Sequence, residues 1–470
     1  MISKSSKEGR KLKLFEITLF NVCCILSLDT IGAGASMGVQ GMSWRILGIL
    51  FFLIPYGLIS AELGSTWPRT GGIYIWTKLA FGDFWATMVS WLYWINVVYW
   101  IPSIFVTFAA IFTSAFFPEL SETITPYLQA SLGTLLIWLI VFLGIRNITL
   151  SDFVTSIGAI IKAVLFSVLG FLGIIYGLKH KLANSFSLPK WMITWDATIA
   201  FAPLIVYNFA GFEVVSSFSD KLREPRKDIP RAVMIAGLLI SFLYVFSAFG
   251  VLAVFRVEEI NIVTSVSDSF KILVLKTLGD GFYWLFFVLI IFFLLALFAF
   301  VFGWAFGSNY VISETGLDKK LKLLGHRHPR YESPDHAFYL TGVIGTALLL
   351  GNFIGMRNIQ QIFWTIFALS SILLLLPYLF MFPAGVKLRR IFPEIPRPYR
   401  IPGGKLGLWL SAILGELLLF LACIFFFIPP KNTENVLRYE LSLVLGIFLT
   451  LVLGVVIHLK SKKRISQKIT

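Results

Sequence analysis

The chain has 470 residues, of which 57% are hydrophobic and only 14% charged, too few charged side chains to clothe a water-soluble fold of this size. Its net charge of +15 comes from basic residues dispersed among short connections rather than gathered in one segment, which argues against a nucleic-acid-binding domain. What remains is an integral membrane protein.

Windows of about 20 apolar residues predict twelve spans, at roughly 14–38, 44–64, 84–115, 126–145, 151–177, 196–217, 232–255, 282–308, 336–355, 358–383, 406–428 and 437–459. The basic start (Lys4, Lys7, Arg10, Lys11, Lys13) could pass for a signal peptide, but no small-residue cleavage site follows the apolar run, which is read as the first span. With that start in the cytoplasm, most other basic residues also fall on inner connections: Arg69 and Lys78, Arg146, the Lys221–Arg231, Lys319–Arg330 and Lys387–Lys405 groups, and Lys460–Lys468. The excess of inner positive charge predicts a multi-pass protein of the cell (inner or plasma) membrane with both termini cytoplasmic. An outer loop with Lys179, Lys181 and Lys190 runs against this trend.

The first span is interrupted at Asp29-Thr30-Ile31-Gly32-Ala33-Gly34 and the sixth at Asn208-Phe209-Ala210-Gly211-Phe212-Glu213. A broken helix persists in a bilayer only where its freed backbone groups face protein, water or ligand. Two breaks at matching places in two halves predict an inverted repeat with a binding site between them. The competing reading of the first break is close helix packing, since Gly34 and Gly38 also form a small-xxx-small face.

Three ionisable residues stand at membrane depth in these segments: Asp29, Lys162 in the fifth span and Glu213 in the sixth. Such residues are costly unless paired, hydrated or neutral. Asp29 and Lys162 are expected to pair, because two lone buried charges on neighbouring helices would each be expensive. Asp29 has two alternatives, freed backbone N–H groups or a cationic substrate. Lys162 is a static charge or a proton carrier, and Glu213 a helix cap or a proton-responsive gate. Glu416, in the eleventh span, is assigned to packing or an oligomer contact.

Cys23, Cys24 and Cys423 all fall within spans and imply no disulfide framework. The sequon Asn147-Ile148-Thr149 lies on the cytoplasmic side, where it would go unused. Residues 264–278 alternate as an amphipathic helix over the outer mouth, lid-like in form. His326 and His328, in the charged loop from Leu317 to Pro334, lack helical spacing and nearby cysteines, so no metal is assigned. Trp91, Tyr93, Trp94, Tyr99 and Trp100 divide between packing and a cavity wall, and Tyr207 and Trp364 are the gate candidates.

Two longer motifs flank these spans. Ala61-Glu62-Leu63-Gly64-Ser65-Thr66-Trp67-Pro68-Arg69-Thr70-Gly71-Gly72-Ile73-Tyr74 closes the second span, and Ser219-Asp220-Lys221-Leu222-Arg223-Glu224-Pro225-Arg226-Lys227-Asp228-Ile229-Pro230-Arg231-Ala232 follows the sixth. Both resemble stretches of the amino acid/polyamine/organocation (APC) superfamily of permeases, with Glu224 where that family commonly has Asn. Gly32-Ala33-Gly34 is similar to its glycine-rich break. The resemblance implies an all-α, LeuT-like fold: one permease domain over 1–470, a 5+5 inverted repeat (14–177 and 196–383) and two peripheral helices (406–459). It implies a substrate site at Ile31, Gly32, Ala33 and Gly34, whose N–H groups would take a carboxylate, and at Tyr207, Asn208, Phe209, Ala210 and Gly211, whose carbonyls would take an ammonium. It implies coupling or gating at Lys162, Glu213, Asp29 and Trp364, with Lys162 where Na⁺-coupled relatives hold sodium. Arginine/agmatine exchangers of the family have Asn at the position of Asp29.

The function expected is amino acid transport by alternating access, Na⁺-independent and proton-linked, with protons and the lipid bilayer as partners. No nucleic acid, cofactor or metal is assigned, and the oligomeric state is left open. No Walker motif suggests ATP, no nucleophile, His and acid set suggests an enzyme, and few polar stripes suggest a channel. The C-terminal third, with Tyr399-Arg400-Ile401-Pro402-Gly403-Gly404-Lys405, resembles bacterial glutamate/GABA antiporters. The alternatives are therefore an exchanger of that type, or a transport-silent amino acid sensor on the same fold.

Overall fold

The computed structural model describes residues 14–466 except 70, 147, 195–198, 200–201, 214–221, 315–322, 356–357 and 431–432. The basic start, Asn147 of the sequon, Ser219 to Lys221 of the second long motif and the first part of the loop from Leu317 lie outside the described residues. Among the described residues there is no β-strand. Ten helices among the described residues are long and apolar enough to cross a bilayer.

In chain order the first apolar segment forms α1 (Leu14–Ile25) and the single turn α2 (Ile31–Ala35). Next come α3 (Gln40–Thr66), α4 (Gly72–Phe81), α5 (Asp83–Phe116), α6 (Thr125–Arg146) and α7 (Ile148–Lys179). The sixth apolar segment begins as α8 (Ala202–Asn208) and is followed by α9 (Pro225–Val254) and the outer helix α10 (Ser265–Leu278). The remaining helices are α11 (Tyr283–Glu314), α12 (Asp335–Gly355), α13 (Ile359–Ile391), α14 (Gly404–Phe425) and α15 (Val436–Ser466). Their ranges follow the apolar runs because a chain in lipid satisfies its backbone most simply within a helix.

Each predicted segment contains a break, but the first lies at residues 26–30 rather than at Asp29–Gly34, because Ile31–Ala35, with both glycines, is helical. The backbone leaves helical geometry after Ile25 and after Asn208, and each segment carries glycine beyond the break. In α3 a π-helical stretch, Ile49–Leu53, precedes Pro55. Proline cannot donate the bond that would continue a regular turn, and a π-bulge absorbs the mismatch. Gly48 lies there against Ile205 and Phe209, where a Cβ would come within 2.4 Å of the Ile205 side chain. The absence of a side chain lets α3 cross the second break closely.

The glycine pair after the second span turns as its sequence requires. Gly71 has φ +97, a left-handed conformation that starts α4 without steric cost. On the cytoplasmic side of the expected topology, Glu62 is 4% exposed and accepts hydrogen bonds from both Arg389 and Arg397 and from Ile401 N–H. This knot fastens α3 to the end of α13 and the chain leading to α14. Glu224 pairs with Lys227 at 2.8 Å, and that ammonium holds its carboxyl below the usual range.

The amphipathic outer helix forms where expected and buries Val266, Phe270, Leu273 and Val274 on one face. Its C-terminal carbonyls accept from the outer lysine loop: Lys179 Nζ bonds Thr277 O at 2.8 Å, and a His180 ring nitrogen lies 3.1 Å from Lys276 O. Cations at a helix C-terminus complement its dipole. That accounts for part of the positive charge in this outer loop.

Candidate functional site

The first break is held open by side chains from four other parts of the fold. Five successive carbonyls, Cys23 to Ser27, lose helical partners there, and each finds a substitute. Lys162 Nζ donates to Cys23 O at 2.5 Å and to Leu26 O at 2.7 Å; Trp304 Nε1 donates to Cys24 O at 3.0 Å. The Tyr244 hydroxyl donates to Ile25 O at 3.1 Å while accepting from Ser27 N–H at 2.8 Å. Thr30 closes the set, donating to Ser27 O at 3.1 Å, and its hydroxyl lies 3.1 Å from Asn208 Oδ1 across the second break. Buried backbone groups demand such partners.

Lys162 is completely buried, with its ammonium 3.4 Å from the centre of the Phe300 ring. Two carbonyls and an aromatic face occupy it. The expected ion pair with Asp29 is absent from this structure: Asp29 Oδ1 accepts instead from Ser27 Oγ at 2.6 Å, and its Oδ2 is buried without a hydrogen-bond partner. The ammonium is already saturated, so the lone-charge argument that favoured pairing does not apply to it.

Beyond the second break, Glu213 is 2% exposed and takes hydrogen bonds from three tyrosines. Tyr56 donates to Oε2, and Tyr378 and Tyr93 donate to Oε1 at 2.8 and 3.2 Å. The Tyr56 hydroxyl also accepts Gly211 N–H at 3.0 Å. One carboxylate thereby ties the turn after α8 to α3, α5 and α13. No described residue donates to the carbonyls of Asn208 or Phe209.

The glycines that follow the first break have individual steric reasons. A Cβ on Gly32 would lie 2.6 Å from Ile262 O and 2.7 Å from Ser265 Oγ; one on Gly34 would lie 2.2 Å from Arg45 Nη2. Gly38 has φ +67. Close packing therefore explains Gly32 and Gly34 at least in part, and in this conformation α2 is covered by the chain entering α10.

Between the breaks lies a small pocket lined by Cys24, Ile25 and Ser27, by Tyr207 and Ala210, by Asn96, Val97 and Trp100 of α5, by Phe300 and Trp304 of α11, and by Leu374 of α13. Of the aromatic series on α5, Trp100 faces the cavity and Tyr93 serves Glu213. Trp91 and Trp94 donate instead to Thr450 O at 2.8 Å and Asn309 Oδ1 at 2.9 Å. Trp364 is outside the lining, one ring removed: it packs on Phe367, which meets Tyr207 edge-on at 4.8 Å. Phe300, Trp304 and Asn96 were not singled out by sequence, because nothing distinguishes one aromatic in an apolar helix from another. The three cysteines are free thiols.

A helical membrane protein with two apposed helix breaks around a mid-chain cavity is built as permeases are. The sequence profile of the amino acid permease family matches residues 12–455, and the chain belongs to that family. It is 30% identical over 465 residues to the probable agmatine/putrescine antiporter AguD of Lactococcus lactis, covering 97% of each chain. It is 22% identical to a glutamate/gamma-aminobutyrate antiporter of the same species, over 97% of this chain and 92% of the relative. The branched-chain amino acid permease BcaP of Bacillus subtilis is 22% identical, over 93% of this chain and 91% of the relative. Family and relatives are transporters rather than enzymes.

Proposed function

We propose that this chain is a secondary active transporter of amino acids in the cell membrane, Na⁺-independent and proton-linked, working by alternating access. α1 with α2, and α8 with the turn after it, count as broken spans. The chain is then a single domain of twelve spans, both termini cytoplasmic, with inverted repeats over 14–177 and 196–383 and peripheral helices over 406–459. The observation that carries the reading is the bond between Thr30 and Asn208 beside the cavity, which brings both breaks to one place.

In this reading Ile31, Gly32, Ala33 and Gly34 offer N–H groups to the substrate carboxylate, those of Ile31 and Gly34 by exchanging the bonds they make here to Leu28 O at 3.5 Å and Thr30 O at 2.9 Å. Tyr207, Asn208, Phe209, Ala210 and Gly211 offer carbonyls to its ammonium, supported by the carbonyls of Asn208 and Phe209, to which no described residue donates. Lys162 stands in for a metal cation, since its ammonium already takes two break carbonyls. Glu213, shared by three tyrosines, responds to protons, and Asp29 adds a second carboxylate beside the break. Trp364 acts on Tyr207 through Phe367.

A second reading is favoured by the relatives: two of them are named antiporters, and exchange of an amino acid or amine fits the same site. Flux in proteoliposomes separates the two. Uptake into empty vesicles driven by a pH gradient supports the symporter; uptake that requires internal solute supports exchange. Ligand-dependent stabilisation of the purified protein without flux under either condition would sink the transport reading and leave a sensor.

A further inference from the structure

A buried cation remains outside this scheme. Arg45 of α3 is 3% exposed, and its one hydrogen bond among the described residues is a long contact from Nη1 to Gly41 O at 3.4 Å. No carboxylate among the described residues lies within ion-pair distance of it. Arginine stays ionised in proteins, so it cannot relieve this burial by losing its proton. A largely buried cation with one long hydrogen bond and no carboxylate beside it is costly, and within a membrane protein it marks a place where a counter-charge arrives.

Its position indicates what arrives. The guanidinium lies against Gly34 so closely that a methyl group there would overlap Nη2, at 2.2 Å. Gly34 belongs to α2, the turn that follows the first break, and Gly41, the other neighbour, also lacks a side chain. Tyr244, which bridges Ile25 O and Ser27 N–H, is the titratable group within electrostatic reach of Arg45. The cation therefore adjoins the outer half of the broken helix, between Gly34 and the residues that hold the break. A planar fork of N–H donors matches a carboxylate in two-point geometry.

We propose that Arg45 forms an anion-binding position beside the first break that takes the carboxylate of the transported solute, so that carboxylate-bearing amino acids are preferred over their decarboxylated amines. The proposal rests on the transport reading above and names its substrate class. Asp29, whose Oδ2 is buried without a hydrogen-bond partner next to the first break, supplies the opposite charge for the amine. A zwitterion is thereby matched by two fixed charges.

The test uses the full-length protein in proteoliposomes and chemically matched pairs: arginine with agmatine, ornithine with putrescine. In wild type the amino acid of a pair is the preferred solute. Arg45→Gln is expected to lower the amino-acid-to-amine ratio of uptake about tenfold or more, and Arg45→Lys, which keeps the charge without the fork, to restore part of it. Thermal stabilisation of purified protein by the same solutes gives a readout independent of flux, and R45K serves if R45Q does not fold. An unchanged ratio in both variants would mean a packing role and overturn the proposal. So would a wild type that takes only amines, which keeps transport but replaces amino acids by amines as its solutes. Chloride stabilisation lost in R45Q with the solute ratio unmoved would assign the position to inorganic anions and likewise overturn it. Absence of flux with every pair defeats the transport reading instead; amino-acid stabilisation present in wild type and lost in R45Q would still uphold the anion site.

Discussion

Tyr56 and Glu213 are joined by a hydrogen bond, and the same tyrosine oxygen accepts the N–H of Gly211 at 3.0 Å. The hydroxyl sits between a carboxylate and the freed backbone of the second break. A change of charge on Glu213 therefore reaches the break through a single atom.

For this reason Glu213→Gln is expected to flatten the pH dependence of transport, because an amide keeps the shape and loses the titration. Tyr56→Phe, which removes the link from carboxylate to Gly211, should lower the transport rate while leaving a pH dependence. Initial uptake rates between pH 5 and 8 check both, and a pH profile unaltered in the glutamine variant removes Glu213 from coupling.

Lys162→Met leaves the carbonyls of Cys23 and Leu26 without donors. Each buried unpaired group costs about 1–3 kcal/mol, so a loss of about 2–6 kcal/mol in stability is expected, together with loss of uptake. Thermal unfolding in detergent measures the first effect. Wild-type uptake at fixed pH should be indifferent to exchange of Na⁺ for choline; strong stimulation by Na⁺ would remove the cation-replacement role.

Gly32→Ala places a methyl group 2.6 Å from a backbone oxygen that cannot rotate away. Packing of the outer segment on α2 should loosen. A cysteine at position 33, where alanine is fully buried, reports it in a background free of native cysteines. Its labelling by a membrane-impermeant maleimide should be faster with Gly32→Ala than without, and equal rates would count against a seal at this point.

Glu62→Gln removes the negative charge from a knot of two arginines and one backbone N–H. Breaking a buried ion pair by removing one partner costs about 3–5 kcal/mol, and the unfolding temperature should fall accordingly. The double change Glu62→Gln with Arg389→Gln should cost less than the sum of the singles, since the two residues interact directly.

Some of this was legible in sequence. Small residues inside otherwise apolar runs announced both breaks, and Lys162 and Glu213 stood out because charge at membrane depth is rare. Their partners were not legible: Tyr56, Tyr93 and Tyr378 come from three helices, and no periodicity records which aromatic of a long apolar helix faces an acid on another. The Asp29–Lys162 pairing followed from the cost of lone charges, but freed carbonyls beside Lys162 compete for the same ammonium. Arg45 does not stand out in the sequence, because sequence counts charge and burial decides what that charge requires.

The outer helix is fastened at both ends. Lys179 and His180 hold its last carbonyls, and just before its start Ile262 N–H bonds Gln360 Oε1 of α13 at 3.0 Å. A flap hinged at one end could swing; a beam pinned at two cannot. If the outer face opens, the piece that moves is the five-residue turn beneath it, whose contact with the outer segment at Gly32 is van der Waals, while the beam stays where it is as a fixed ceiling.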